Sequence, residues 1–252
     1  KNILKTIFHE NKKIINSKIN FYSKSKSQVD PVTKFDLKIE KVIRNEIKKN
    51  YPSHNILGEE YKSNYKGSKY TWVIDPIDGT KALLTGQPTW SNLISLYYEK
   101  TPLIGMANFP ELNKTFYADK SGAYLNKKQF KKIKASKNKD LKNAKLITNS
   151  IHTFVDKKIY NFFSSYPYFF KITGIDAYNF CLLAEGKIDI IIESGLKQVD
   201  ILPMVPIINA SGGIITNWKG SSDLSKGQII ASANKQIHKK FLNYFKKKYF
   251  DI

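Results

Sequence analysis

One arginine and one cysteine stand in 252 residues, and each scarcity closes off a class of function. A single cysteine, Cys181, can form no intrachain disulfide, so a core must hold the fold and the chain suits a reducing compartment. No run approaches the roughly 18 uncharged apolar residues that a membrane helix needs. Lys1, Lys5, Lys12 and Lys13 interrupt every apolar run at the start, where a signal peptide would keep one intact. The expected setting is cytoplasmic, with no membrane partner. The shortage of arginine bears on the net charge of +21. Such a charge asks for a polyanion, yet specific readers of nucleic acid carry arginine for its bidentate fork. Here Arg44 is alone, and the charge is lysine scattered with asparagine along the whole chain. A lysine- and asparagine-biased proteome accounts for that pattern, and no specific nucleic-acid partner is expected.

What is present is hydrophobic periodicity, with 41% hydrophobic residues, enough for one large or two smaller domains. Residues 3–20 and 35–50 read as helices; in the second, Phe35, Ile39, Val42, Ile43 and Ile47 make one face and Pro52 stops it. Residues 70–75, 92–98, 103–109 and 115–118 read as strands joined by Gly, Pro and Asn turns, a largely antiparallel first half. The stretch KKIKASKNKDLKNAK, 131–145, has almost no large apolar residue and reads as a linker. After it, strands at 146–149, 168–172, 188–193, 214–218 and 228–232 alternate with helices at 153–163, 176–186, 201–210 and 235–248, the order of a layered α/β unit. The expected fold class is α/β, with an α+β domain over 1–140 and an α/β domain over 141–252. Lys246, Lys247 and Lys248 fit the solvated face of a packed last helix.

The stretch WVIDPIDGT, 72–80, concentrates chemistry. Asp75 ends an apolar run, Pro76 should stop the strand ladder there, and Asp78 follows at a distance that lets both carboxylates converge. Converging carboxylates share a proton or a cation, or else cap backbone amides in an Asx-type turn. Gly79 and Thr80 favour the cation: glycine permits close backbone approach, and a helix opening near Thr80 aims free N–H groups at an anion. Carboxylates for a hard cation beside amides for an anion make a site for a metal-bound phosphate ester. Glu59 and Glu60 follow another apolar pair, and Asp200 opens a helix in QVDILPMVPIINASGG. Singly, Glu60 reads as a solvated loop residue and Asp200 as an N-cap.

In combination, GEE at 58–60, WVIDPIDGT at 72–80, Asp200 with ASGG at 210–213, and DPVTKFD at 30–36 resemble the signatures of the inositol monophosphatase-like, magnesium-dependent, lithium-sensitive phosphatases. The resemblance spans nearly the whole chain. It implies the layered αβαβα sandwich shared with fructose-1,6-bisphosphatases, and two or three Mg²⁺ ions held by Glu59, Asp75, the Ile77 carbonyl, Asp78 and Asp200. It implies further that Thr80, hydrogen-bonded to Asp36, and Glu59 orient the attacking water. The amides of Gly79 and Thr80 then grip the phosphate of a small phosphorylated metabolite. The rival phosphatase chemistry needs an aspartate nucleophile in a D-x-D spacing, which this D-x-x-D lacks, and His9, His54, His152 and His238 sit in no nucleophile context.

Within the family, Lys81, Leu83 and Val199 depart from the inositol branch, whereas GTKALLTGQPTWSNLISL (79–96) and the run Leu196, Lys197, Gln198, Val199, Asp200 resemble the bacterial histidinol-phosphate phosphatases of histidine biosynthesis. The resemblance places Asp176 and Glu193 against the leaving alcohol. Two acids suit the ammonium and imidazole of histidinol better than neutral inositol, although Asp176 also reads as the cap of its helix. An inositol phosphate or 3′-phosphoadenosine 5′-phosphate is the alternative substrate, and a non-catalytic, basic polyanion-binding protein is the alternative of another class. A complete set of acids without a cation would repel, which counts against the latter. Similar proteins are commonly homodimers, and 162–170 and 202–208 read either as interface or as core.

Overall fold

The computed structural model describes residues 2–15, 17, 19–23, 31–126, 129–148, 157–165, 170–173 and 176–250. Helix α1 (Asn2–Ile15) precedes a short antiparallel hairpin of β1 (Phe21–Ser23) and β2 (Pro31–Thr33), and α2 (Lys34–Asn50) follows at once. Thr33 and Asp36 form a capping box at the start of α2: the Thr33 hydroxyl accepts from Phe35 N at 3.1 Å, and Asp36 Oδ2 accepts from Thr33 N at 2.7 Å. The buried face of α2 carries Phe35, Ile39, Ile43 and Ile47 as its period demands, but beside them runs a buried polar line of Asp36, Glu40 and Arg44.

A seven-stranded sheet comes next, built from β3 (Asn55–Gly58), β4 (Tyr70–Asp78), β5 (Ser91–Tyr98), β6 (Thr101–Phe109), β7 (Lys114–Asp119), β8 (Gly122–Asn126) and β9 (Phe130–Ile133) in that spatial order. The five-residue helix α3 (Thr80–Leu84) interrupts it between β4 and β5. Only β3 and β4 run parallel; the remaining neighbours are antiparallel. After a 3-10 turn at Leu141–Asn143 the chain lays down β10 (Lys145–Thr148), α4 (Lys157–Ser165), β11 (Phe170–Thr173), α5 (Asp176–Ala184), β12 (Ile190–Glu193), α6 (Gln198–Ile201), α7 (Met204–Ser211), β13 (Ile214–Asn217), β14 (Ile229–Ser232) and α8 (Lys235–Tyr249). These strands form a mixed sheet in the order β11-β10-β12-β14-β13.

Strand alternation assigns the layers. In β5, Ile94 packs with α1 and α2 while Leu93 packs with α5 and α7; in β12, Ile191 joins that same middle layer while Ile190 and Ile192 pack with α4 and α8. The result is five layers, helix pair, sheet, helix pair, sheet, helix pair, the expected αβαβα sandwich. Of the stretch 202–208, Pro203, Met204, Pro206, Ile207 and Ile208 are buried in this core. Phe162 and Phe163 are likewise buried, and 166–169 lie outside the described residues. Phe241, Phe245 and Trp218 cluster under α8, with Lys247 and Lys248 exposed. No described helix is long and apolar enough to cross a membrane.

Several local expectations change. Pro76 does not end β4: the ladder with β5 slips between Asp75 and Asp78 and resumes as Asp78 pairs with Ser91. The supposed linker begins as the edge strand β9, whose exposed Lys131 and Lys132 mask its strand character. Beyond it the polar chain is stitched to the second sheet's side. Ala135 N donates to Ser211 O at 3.0 Å, and Asn234 Nδ2 donates to Ser136 O and Asn138 O at 3.1 and 2.8 Å. Helix 201–210 is two helices, α6 and α7, because Pro203 has no N–H to continue the first. The first helix stops at Ile15 rather than at 20, β3 and β8 are further strands, and 153–156 lie outside the described residues.

Candidate metal and phosphate site

The slip in β4 makes the site. Because Pro76 offers no N–H, the chain bulges, and the bulge is fixed by Asn92 Nδ2, which donates to Pro76 O at 2.7 Å. The carboxylates of Asp75 and Asp78 are thereby brought within reach of one another. Asp78 Oδ2 accepts from Ser91 Oγ at 3.1 Å and from the Ala177 amide at 3.1 Å, in the first turn of α5, so a residue of the first sheet is tied to a helix of the middle layer. Asp200 comes from α6 on the far side. It is not the N-cap but the third helical residue, and it accepts from Lys197 N at 2.7 Å. One carboxylate oxygen from each of Asp75, Asp78 and Asp200 lies within 4.8 Å of the others.

Electrostatics mark Asp75 as the centre. It is 1% exposed, and burial first, then the negative charges of Glu59, Asp78 and Asp200, hold its carboxyl well above the usual carboxylate range. Its Oδ1 is buried without a hydrogen-bond donor among the described residues. A donor-less buried carboxylate oxygen facing further carboxylates is a fit for a hard divalent cation, which takes oxygen ligands and would relieve their repulsion. Glu59, directly after β3, approaches this group and also pairs with Lys197 Nζ at 2.9 Å. Glu60 is not merely solvated: its amide donates to Glu40 Oε2 at 2.7 Å.

The phosphate half of the expectation centres on the following turn. Gly79 adopts φ 78°, ψ 41°, a left-handed conformation that glycine reaches without strain, and α3 opens at Thr80. Thr80 Oγ1 donates to Ile77 O at 3.1 Å and lies 3.4 Å from Asp36 Oδ1, while Asp36 Oδ2 accepts from Thr33. The capping box of α2 thus orients the threonine hydroxyl beside the acids. Glu193 ends β12, 1% exposed, with its carbonyl accepting from Trp218 Nε1 at 3.1 Å. Asp176 is the first residue of α5, but its side chain, and Gly174 before it, lie outside the described residues.

Ser91, Asn92, Lys197 and the Ala177 amide are members of the site that motif reading did not single out for these roles. Ser91 and Asn92 did leave a signal, two adjacent polar residues opening a buried strand. Of the histidines, His54 is stacked between Tyr51 and Tyr70, His238 is buried against Thr216 and Ser232, and His152 lies outside the described residues.

Comparison with known proteins agrees with this geometry. The sequence model described as "Inositol monophosphatase family" matches residues 1–248. A relative from Arabidopsis thaliana, "Bifunctional phosphatase IMPL2, chloroplastic", is 34% identical over 86% of this chain, which spans 66% of that relative's length. A "Histidinol-phosphatase" from Chlorobaculum parvum is 28% identical over 83% of this chain and 81% of its own. Among solved structures, the IMPase of Thermotoga maritima superposes with a TM-score of 0.83 at 26% identity, covering 99% of this chain and 96% of that one.

Proposed function

The chain belongs to the inositol monophosphatase family, metal-dependent phosphomonoesterases, and from that premise we propose that it is a Mg²⁺-dependent histidinol-phosphate phosphatase, releasing histidinol and phosphate in histidine biosynthesis. The observation that carries the metal part is the meeting of Asp75, Asp78 and Asp200 around the buried, donor-less Asp75 Oδ1. In this reading residues 1–140 supply Glu59, Asp75, the Ile77 carbonyl and Asp78, and residues 141–252 supply Asp200 and the alcohol pocket. Bound Mg²⁺ would lower the pKa of water and offset phosphate charge.

The chain's own residues do the rest. The Thr80 hydroxyl, set by Asp36 and Ile77 O, and the Glu59 carboxylate orient the water for in-line attack. The Gly79 and Thr80 amides donate to phosphate oxygens as charge shifts toward the leaving alcohol. No covalent intermediate on the protein is required. Asp176 and Glu193 meet the leaving alcohol, and two acids there favour a substrate bearing an ammonium and an imidazole. The run from Leu196 to Asp200 and the similarity to the Chlorobaculum parvum protein support the same substrate.

The likeness to the Thermotoga maritima IMPase favours a second reading, hydrolysis of an inositol phosphate. Phosphate release from histidinol phosphate, inositol monophosphate and 3′-phosphoadenosine 5′-phosphate, each with Mg²⁺ and with chelator, separates the readings. The expected result is Mg²⁺-dependent turnover with the highest kcat/KM on histidinol phosphate. A preference for either other ester moves the assignment within the family. No release from any of the three, with nucleic-acid binding that persists in moderate salt, would replace it by polyanion binding.

A further inference from the structure

The one arginine of a lysine-rich chain is almost wholly buried, and so is its partner. Glu40 is 0% and Arg44 6% exposed, with Arg44 Nε donating to Glu40 Oε1 at 2.7 Å. Glu40 also accepts from the amides of Glu60 and Tyr61, at 2.7 and 3.2 Å, and Arg44 Nη2 donates to Tyr61 O at 2.9 Å. The Tyr61 ring lies 5.8 Å from the guanidinium, and its hydroxyl donates to Leu37 O at 3.2 Å. Leu37, Glu40 and Arg44 are successive positions on one face of α2, so a single helical stripe grips the chain just after Glu59. On the other side of Glu59, Gly58 backs onto the same pair. A Cβ there would overlap Glu40 Oε1 and lie 2.6 Å from Arg44 Nη2. Gly58 in turn pairs with Ile74, the neighbour of Asp75.

Glu59 is therefore set between two points that one ion pair fixes. A planar guanidinium can donate to a carboxylate and to a separate carbonyl at once, whereas a lysine ammonium is a point charge on a flexible stem. That difference explains an arginine at this position in a chain that elsewhere uses lysine. A buried ion pair is a poor source of net stability, so its use lies in geometry. We infer that Glu40 and Arg44 are positioning residues for Glu59 and set the affinity of the cation site through the 58–61 turn. The inference rests on the metal-site reading above.

The test uses Mn²⁺, a cation of similar ligand preference, with binding to the full chain read from loss of the free-ion EPR signal. Arg44→Lys keeps the charge and loses the fork; Gly58→Ala keeps both charges and displaces the pair. Each is expected to weaken Mn²⁺ binding about tenfold or more, the usual effect of a partner that orients a ligand. Each should keep a cooperative melt, and its kcat should recover as Mn²⁺ is raised, with little change in KM for the phosphate ester. Recovery by added cation is a response that a merely structural defect would not give. Folded variants that bind Mn²⁺ as the wild type does would overturn the inference; should Arg44→Lys fail to fold, Gly58→Ala decides by the same measure. A wild-type chain that binds no Mn²⁺ overturns the metal-site reading instead.

Discussion

The Lys197 ammonium lies 2.9 Å from Glu59 Oε1, a contact between the turn before α6 and the turn after β3. A side-chain cation thus already faces the carboxylate that family resemblance gives to a metal. The two cations compete for the same oxygen. Lys197 is 53% exposed at its side chain, so the pair is worth no more than about 1 kcal/mol. Lys197→Met should therefore tighten divalent-cation binding by a few fold, measured by Mn²⁺ titration near neutral pH. Unchanged or weaker binding would show that Lys197 does not compete.

Asp200 brings the second half of the chain to the site, and its substitution separates chemistry from fold. Asp200 accepts from Lys197 N at 2.7 Å, and in Asp200→Asn the amide oxygen can accept the same bond, so the start of α6 keeps it. The negative charge facing Asp75 and Asp78 is gone. Phosphate release should fall about a hundredfold or more, with the far-UV spectrum of the wild type and a cooperative melt. Near-normal turnover in a phosphate-release assay would remove Asp200 from the metal site.

These residues also mark how far local pattern reaches. The apolar faces of α2 and α8 were legible because burial against a neighbouring layer imposes a period on the sequence. The acids of WVIDPIDGT were legible because carboxylates beside a glycine turn are rare in a buried strand. Arg44 was legible only as a charge, since its partners on the 60–61 turn are set by tertiary packing. The bulge at Pro76 was hidden for a similar reason: local rules end a ladder at proline, and the Asn92 amide that lets it resume comes from the next strand. In β9 the lysines that protect an edge strand imitate the composition of a linker.

Asp75 should be a cost to the fold that the cation removes. Its folded pKa is raised above the ordinary 3.8 by burial and then by Glu59, Asp78 and Asp200. The associated stability is fully present below the unfolded value and is lost as pH rises through the folded one. Asp75→Asn escapes that loss. In chelator near neutral pH the variant should melt higher than the wild type, and the two should converge at pH values below the ordinary carboxylate range. Mg²⁺ should then raise the melting temperature of the wild type and leave the variant where it was. A lower melting point for the variant in chelator would contradict the repulsion assigned to this carboxylate.

His238 gives the fold its second pH dependence, with the opposite sign. It is buried in α8, its two ring nitrogens each 3.0 Å from a hydroxyl, Thr216 Oγ1 on one side and Ser232 Oγ on the other. Burial pushes its pKa down to about 4 from the ordinary 6.5. The unfolded chain therefore takes up the proton first as pH falls. Stability is full above the unfolded value and is lost as pH drops from 6.5 toward 4, at roughly 1.4 kcal/mol per unit where the slope is steepest. His238→Gln should lower stability near neutral pH by the loss of packing and of at least one hydrogen bond, and should flatten this part of the profile. Urea midpoints at intervals from pH 7 to pH 4.5, taken in chelator for both proteins, measure the difference in slope. Parallel profiles would mean that the proton taken up over this range binds elsewhere.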